Sequence, residues 1–334
     1  MYLVICMGLG FFLFFGNSLV MWLSLELLSM YVLLVLIGLS LWDVNVVGVV
    51  VYFLVQAVGG ILLALGILYD FCYYGNMYGV LCPVSNVSLL FVVLGLLVKL
   101  GLYPFYFWVV RVYGLLEGMQ CYYIGVYSKV MPLLMLFGIF GFLGEYFLLL
   151  LAVCGVLVSG ASGVLASDFR VLMGASSVGH GAWFLFAMYG GFFCLFLYFL
   201  FYVLLNYLVF NVMYLRGVNV FLNFGRGRVY FGLFLIVLLV FVNLGGFSPG
   251  LGFFLKMALT KGGLDVWGGI FCCIFLMLSV GVVFFYSRVM QFLFGVNNSY
   301  EVYRSWFWGR LFFVYVELVF LLLVMLYFWS YWSL

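Results

Sequence analysis

Charge is what this sequence has least of. Only 6% of its 334 residues are Asp, Glu, Lys or Arg, about a quarter of the share in an ordinary globular protein. Twelve cations and nine anions are too few to solvate the surface of a 38.0 kDa soluble body. The same scarcity excludes a sizeable soluble domain, a basic face for nucleic acid and a disordered tail. Proline occurs 4 times and histidine once; glutamine is limited to Gln56, Gln120 and Gln291, and threonine to Thr260. These four residue types need C or A in their codons, whereas the abundant Phe, Gly, Val, Leu and Trp can be written with T and G alone. Hydrophobic selection does not remove Thr or Pro from membrane segments. A biased coding strand of the kind found in small organelle genomes therefore accounts for the skew, with an unusual bacterial genome as the alternative.

Two further absences bear on chemistry. The 8 cysteines (Cys6, Cys72, Cys82, Cys121, Cys154, Cys194 and the pair Cys272–Cys273) show no C-x-x-C spacing and no accompanying histidines. Zinc and iron–sulfur sites need about four convergent ligands, so these cysteines read as small apolar side chains and no metal site is expected. The first apolar stretch has no basic leader and no A-x-A site, which predicts no cleavable targeting segment.

What is present is apolar length. Hydrophobic residues make up 70% of the chain, and a bilayer crossing takes about 20 of them. Runs broken by Gly, Asn, Pro or charge predict an all-α, polytopic membrane protein, a single transmembrane domain over 1–334 with about eleven spans. These cover 1–16, 18–41, 46–69, 86–110, 119–143, 146–166, 170–190, 191–215, 229–262, 264–294 and 310–332. Two spans are interrupted. The fourth contains Lys99-Leu100-Gly101-Leu102-Tyr103-Pro104, and the ninth contains Asn243-Leu244-Gly245-Gly246-Phe247-Ser248-Pro249-Gly250. Proline removes an N–H and adjacent glycines make unwinding cheap. Irregular backbone at membrane depth survives only against protein or a wet cavity, so paired broken helices point to an ion or substrate path. The arginines set the orientation. Arg111, Arg170, Arg216, Arg226, Arg228, Arg288, Arg304 and Arg310 follow even-numbered spans, while Asp70, Glu145, Asp265 and Lys261 follow odd-numbered ones. The basic side stays in the compartment of synthesis, which puts the N-terminus there and the C-terminus opposite.

Five ionisable residues fall inside apolar runs: Glu26 in the second span, Lys99 in the fourth, Lys129 in the fifth, His180 in the seventh and Lys256 in the ninth. At mid-depth each lysine costs roughly 2.5–3.5 kcal/mol on insertion scales, and from there its stem does not comfortably reach either interface. Three of the four lysines in the chain sit in this way. Structural alternatives remain for each residue: a neutral, hydrogen-bonded Glu26, a core imidazole at His180 bonded to Ser176, and a static ion pair. Glu317 in the last span divides evenly between packing and function. Together, titratable groups at similar depth on different helices suit a proton relay, because a low-dielectric setting brings neutral lysine within reach.

At these residues the chain resembles the antiporter-like subunits of respiratory complex I. Trp22-Leu23-Ser24-Leu25-Glu26 resembles their W-x-x-(L/F)-E, and Lys99-Leu100-Gly101-Leu102-Tyr103-Pro104-Phe105-Tyr106-Phe107-Trp108 resembles K-x-G-x-x-P-F-H-x-W. Ser128-Lys129-Val130-Met131-Pro132-Leu133 is similar to K-x-x-P-L, and the stretch from Asp168 to His180 to L-R-K-x-x-A-Y-S-S-I-x-H. Lys256 completes the series. The departures are Tyr106 for histidine, Val110-Arg111 for Pro-Glu, Val171 for lysine and Ala175 for tyrosine. All lie towards the arginine-rich side and leave the central line intact. With Glu26 already in the second span, three N-terminal helices of the larger members are missing. Together with lysine at 256, this implies the shortened branch of the family found in animal mitochondria.

The resemblance implies a proton channel in the inner mitochondrial membrane, with Glu26 and Lys99 as a switchable ion pair, Lys129 and His180 as successive stations and Lys256 at the far end. It also implies that this chain holds no cofactor, and that NADH, flavin, iron–sulfur clusters and quinone are handled by partner subunits. The absence of a Gly-rich dinucleotide fingerprint agrees. Expected partners are other membrane-arm subunits and inner-membrane lipids, not nucleic acid. A stand-alone cation/proton antiporter and a structural subunit with merely paired charges remain as rivals. On the expected topology, a tag fused after Leu334 is digested by protease added to mitochondria stripped of their outer membrane; a protected tag reverses the assignment.

Overall fold

Inside a bilayer, backbone polar groups must be satisfied within the protein, which leaves helices or closed barrels. The computed structural model of the chain takes the first course: among the described residues every regular element is helical. The structure describes residues 18–39, 46–74, 85–216, 239–247 and 250–295. The helices are α1 (Ser18–Leu39), α2 (Val46–Tyr74), α3 (Asn86–Leu100), α4 (Phe107–Leu115) and α5 (Gly118–Ile139). They continue with α6 (Glu145–Leu165), α7 (Phe169–Tyr189), α8 (Phe192–Arg216), α9 over residues 239–245, and α10 (Leu251–Gly295). Six are long and apolar enough to cross a membrane. The expected spans 1–16 and 310–332, the start of the ninth, and Glu317 lie outside the described residues.

The chain divides into two compact units, Met1–Leu151 and Ala152–Leu334. In the first, α2 and α3 form a tight antiparallel pair: Gly59 lies against Gly95 and Lys99, and Gly66 against Ser88 and Val92. Without a hydrophobic drive between lipid-bathed helices, small residues that let backbones close up supply the packing. Helix α1 packs against α2 and α5. Gln120 closes a capping box with Glu117 at the start of α5 and donates to the Leu36 carbonyl near the end of α1 at 3.2 Å. The end of α1 and the start of α5 therefore share a side, as alternating spans require.

Helices α3 and α4 are separated by a short non-helical stretch over residues 101–106. Helix α3 ends on Gly101 at φ 66°, a left-handed residue that favours glycine. The N–H groups of Gly101 and Leu102 return to Val98 and Leu97 carbonyls at 3.2 and 3.1 Å, and a Cβ at 101 would collide with Val109. The Trp108 indole donates to the Val98 carbonyl at 3.0 Å, tying α4 back onto the break.

In the second unit, α7 is buried along nearly its whole length against α8 and α10. Helix α9 ends at Gly246, φ 80°, and Gly252 donates to the Asn243 side chain at 3.4 Å as α10 begins. One expectation is corrected here. The ninth and tenth spans were to be separated near 262–264, yet α10 continues unbroken through Gly262-Gly263 for 45 residues, roughly 68 Å at 1.5 Å per residue. The paired glycines serve close approach instead of a break. A Cβ on Gly262 would sit 2.8 Å from the Gly190 Cα, and one on Gly263 would sit 2.5 Å from the Phe186 ring. Gly262→Val is accordingly expected to destabilise the fold by about 1–3 kcal/mol. Gly38→Ala, with nothing within 4 Å of its added Cβ, should be neutral. Thermal inactivation of the two variants checks the contrast.

Candidate functional site

The first unit brings Glu26 and Lys99 together. Lys99 Nζ lies 2.5 Å from Glu26 Oε1, the short contact of a charge-assisted hydrogen bond. Lys99 is 1% exposed and Glu26 21%, so the ammonium bears the larger desolvation and depends more on the partner. The pair is seated by α2. A Cβ on Gly60 would overlap Glu26 Oε1, and one on Gly59 would lie 2.7 Å from the Lys99 stem. Trp22 donates from its indole to the Gly60 carbonyl at 3.0 Å, and Gln56 from its amide to the Lys99 carbonyl at 3.4 Å. Ser29 donates to the Glu26 carbonyl at 2.8 Å. Glu26 is thereby held by its own helix on one side and by a glycine shelf on the other.

Lys129 lies midway along α5, buried to 4% exposure, on a helix that packs against α3. Ser128 turns its hydroxyl onto the Ile124 carbonyl. Pro132, inside the same helix, has no N–H for the Ser128 carbonyl, so polar backbone is available beside the lysine.

In the second unit His180 is buried on α7. Its Nδ1 lies 2.8 Å from the Tyr198 hydroxyl on α8, and its ring centroid 5.1 Å from that of Tyr202. Ser176, the partner weighed from sequence, donates to the Met173 carbonyl at 2.7 Å, a bond along its own helix. Lys256, also buried, reaches back across the α9–α10 break and donates to the Gly245 carbonyl at 2.7 Å. That carbonyl belongs to the last turn of α9, the negative end of its dipole. The ammonium also lies 5.2 Å from the Trp183 ring centroid, within range of a cation–π attraction. A Cβ on Gly246 would come within 2.8 Å of Nζ.

Sequence reasoning missed Gly59, Gly60, Gln56, Tyr198 and Trp183. Only the first three carried a signal, the polar and small interruption Gln56-Ala57-Val58-Gly59-Gly60 within an apolar helix. The described cysteines are free, and no cluster of three or more His, Cys, Asp or Glu suited to a metal occurs among the described residues.

The NADH:quinone oxidoreductase/Mrp antiporter transmembrane family matches the chain over residues 16–282. The chain belongs to this family. Within the antiporter family it is 26% identical over 168 residues to the NADH-ubiquinone oxidoreductase chain 2 of Dasypus novemcinctus, covering 50% of this chain and 48% of that one. It is 29% identical over 132 residues to that of Myosorex kihaulei, covering 40% and 38%. The matched stretches thus span less than half the length of these relatives. Among solved structures it resembles a chain of respiratory complex I from Thermus thermophilus with bound aureothin. That likeness has a TM-score of 0.76 at 22% identity and covers 95% of this chain and 75% of the other. A chain of the Mrp complex from Dietzia sp. DQ12-45-1b is similar with a TM-score of 0.73 at 13% identity, covering 83% and 56%. At these identities the likeness establishes the antiporter-type fold.

The glycine shelf makes a specific demand on the ion pair. Gly60→Ala is expected to displace the Glu26 carboxylate, leaving Lys99 buried without its counter-charge at a cost of about 3 kcal/mol. Reduced thermal stability and a lengthened Glu26–Lys99 distance in a structure of the variant check this; an unmoved carboxylate contradicts it.

Proposed function

We propose that this chain is a membrane-arm subunit of respiratory complex I, of the chain 2 type, lying in the inner mitochondrial membrane and carrying one route of proton translocation. Its relay groups are Glu26, Lys99 and Lys129 in the first unit and His180 and Lys256 in the second. The family membership supports the setting, and the buried Glu26–Lys99 pair is the observation that supports the activity most. A carboxylate within direct reach holds the Lys99 proton. When the pair opens, the ammonium loses its counter-charge and the proton is released towards Lys129. The Gly101–Pro104 interruption beside Lys99 lets the chain move at that point without unwinding α3. NADH oxidation and quinone reduction take place on partner subunits, and this chain contributes no redox centre. The arginine-rich loops face the matrix.

A second reading, a cation/proton antiporter acting outside complex I, draws support from the fold likeness to the Mrp complex. Co-migration of the chain with a large NADH-oxidising assembly in native gels separates the two, since a separate antiporter runs apart from it.

The relay is tested at Lys129. Lys129→Met keeps the stem length and removes the exchangeable proton. It is expected to lower protons moved per NADH oxidised while assembly and NADH oxidation stay closer to normal. Full proton yield with the substituted chain confirmed in the complex removes Lys129 from the relay.

A further inference from the structure

His180 is the only histidine in the chain, and its observed partner is a tyrosine hydroxyl, with Nδ1 to Tyr198 Oη at 2.8 Å. Both side chains are buried, at 4% and 1% exposure. Two tyrosines on α8 face the ring, Tyr198 and Tyr202, with ring centroids 6.1 and 5.1 Å from it. On α6 the Ser159 hydroxyl is set against Gly179, the residue before His180. Lys256 lies over Trp183, three residues further along α7.

Partner identity matters for a group that must gain and lose charge. A carboxylate on Nδ1 binds the imidazolium strongly and the neutral ring weakly, which biases the ring towards the charged form. A phenol is neutral, and it both accepts and donates. Accepting from Nδ1–H, it makes the same hydrogen bond whether or not the far nitrogen is protonated. The bond made by one ring nitrogen settles which nitrogen exchanges its proton.

We propose that Tyr198 is a positioning residue for His180: it accepts a hydrogen bond from Nδ1–H throughout, so that the ring takes up and releases its proton at Nε2 without turning. The inference rests on His180 acting as a relay station in the function proposed above. The step balances simply. One N–H bond forms at Nε2 when the proton arrives and breaks when it departs; the Nδ1–H bond and the phenol O–H remain intact.

The test uses the assembled complex. An infrared difference between the wild-type complex and one carrying His180→Gln isolates the ring bands of this histidine, which report the nitrogen bearing the proton. Resting protonation at Nδ1 is expected; a neutral ring protonated at Nε2 with Nδ1 bare overturns the inference and requires no Tyr198 variant to fold. Proton yield per NADH supplies the second measurement. Tyr198→Phe should lower it, the Tyr198→Phe/His180→Gln double variant should fall no further than His180→Gln alone, and Tyr202→Phe, which keeps the ring contact, should match wild type. A normal yield in Tyr198→Phe, or additive losses in the double variant, overturns the positioning role while leaving the relay in place. A normal yield in His180→Gln instead removes His180 from the relay itself, and Tyr198 with it.

Discussion

A lysine ammonium inside an apolar bundle persists only if negative charge or aligned dipoles reach it, and for Lys99 that group is Glu26. The arrangement of the first unit follows from bringing the two within 2.5 Å. Glu26 and Lys99 stand on helices with α2 against both, and α2 presents glycine where any larger side chain would occupy the space of the carboxylate and the lysine stem. The indole of Trp22 and the amide of Gln56 stitch α2 to the same two helices. Packing and charge placement are one constraint here. Helices drawn close by small residues are also what exclude the water that would weaken the pair.

The second unit offers dipolar contacts to its buried groups. Lys256 is held by a helix-terminal carbonyl and an aromatic face, and His180 by a phenol. Dipolar contacts of this kind stabilise a charge less than a carboxylate does, and they also cost less to leave behind when the charge departs. The contrast is one of strength: a full counter-charge at Glu26–Lys99, dipolar contacts at Lys256 and His180.

The pairing in the first unit is legible in the sequence for a physical reason. A lysine in a run such as Leu96-Leu97-Val98-Lys99-Leu100 is so costly that its presence demands a partner, and the scarcity of acids leaves Glu26 as the evident one. Gly101 and Gly246 were legible as interruptions because they occur with prolines and polar residues nearby. Gly59-Gly60 and Gly262-Gly263 were not interpretable in the same way. Glycine appears 41 times in this chain, and a glycine pair is chemically the same whether it ends a helix or admits a neighbour. What decides is the facing surface: Glu26 and Lys99 in one case, Gly190 and Phe186 in the other. Tyr198 was illegible for a related reason. It is one of 26 tyrosines, and only the packing of α8 on α7 singles it out.

The contact between Lys256 and the Gly245 carbonyl bears on which residues that position tolerates. An amine donates hydrogen bonds whether charged or neutral, so in the proposed relay the end of α9 would stay capped through a change of charge and the turn at Gly246 would keep its shape. A carboxylate at the same place would set acceptor against acceptor and repel the carbonyl unless it kept its proton. The shape of this interruption therefore selects a base over an acid, and exchanging one for the other would require the backbone around Gly245 and Gly246 to be rebuilt with its N–H groups, in place of its carbonyl, turned towards the side chain.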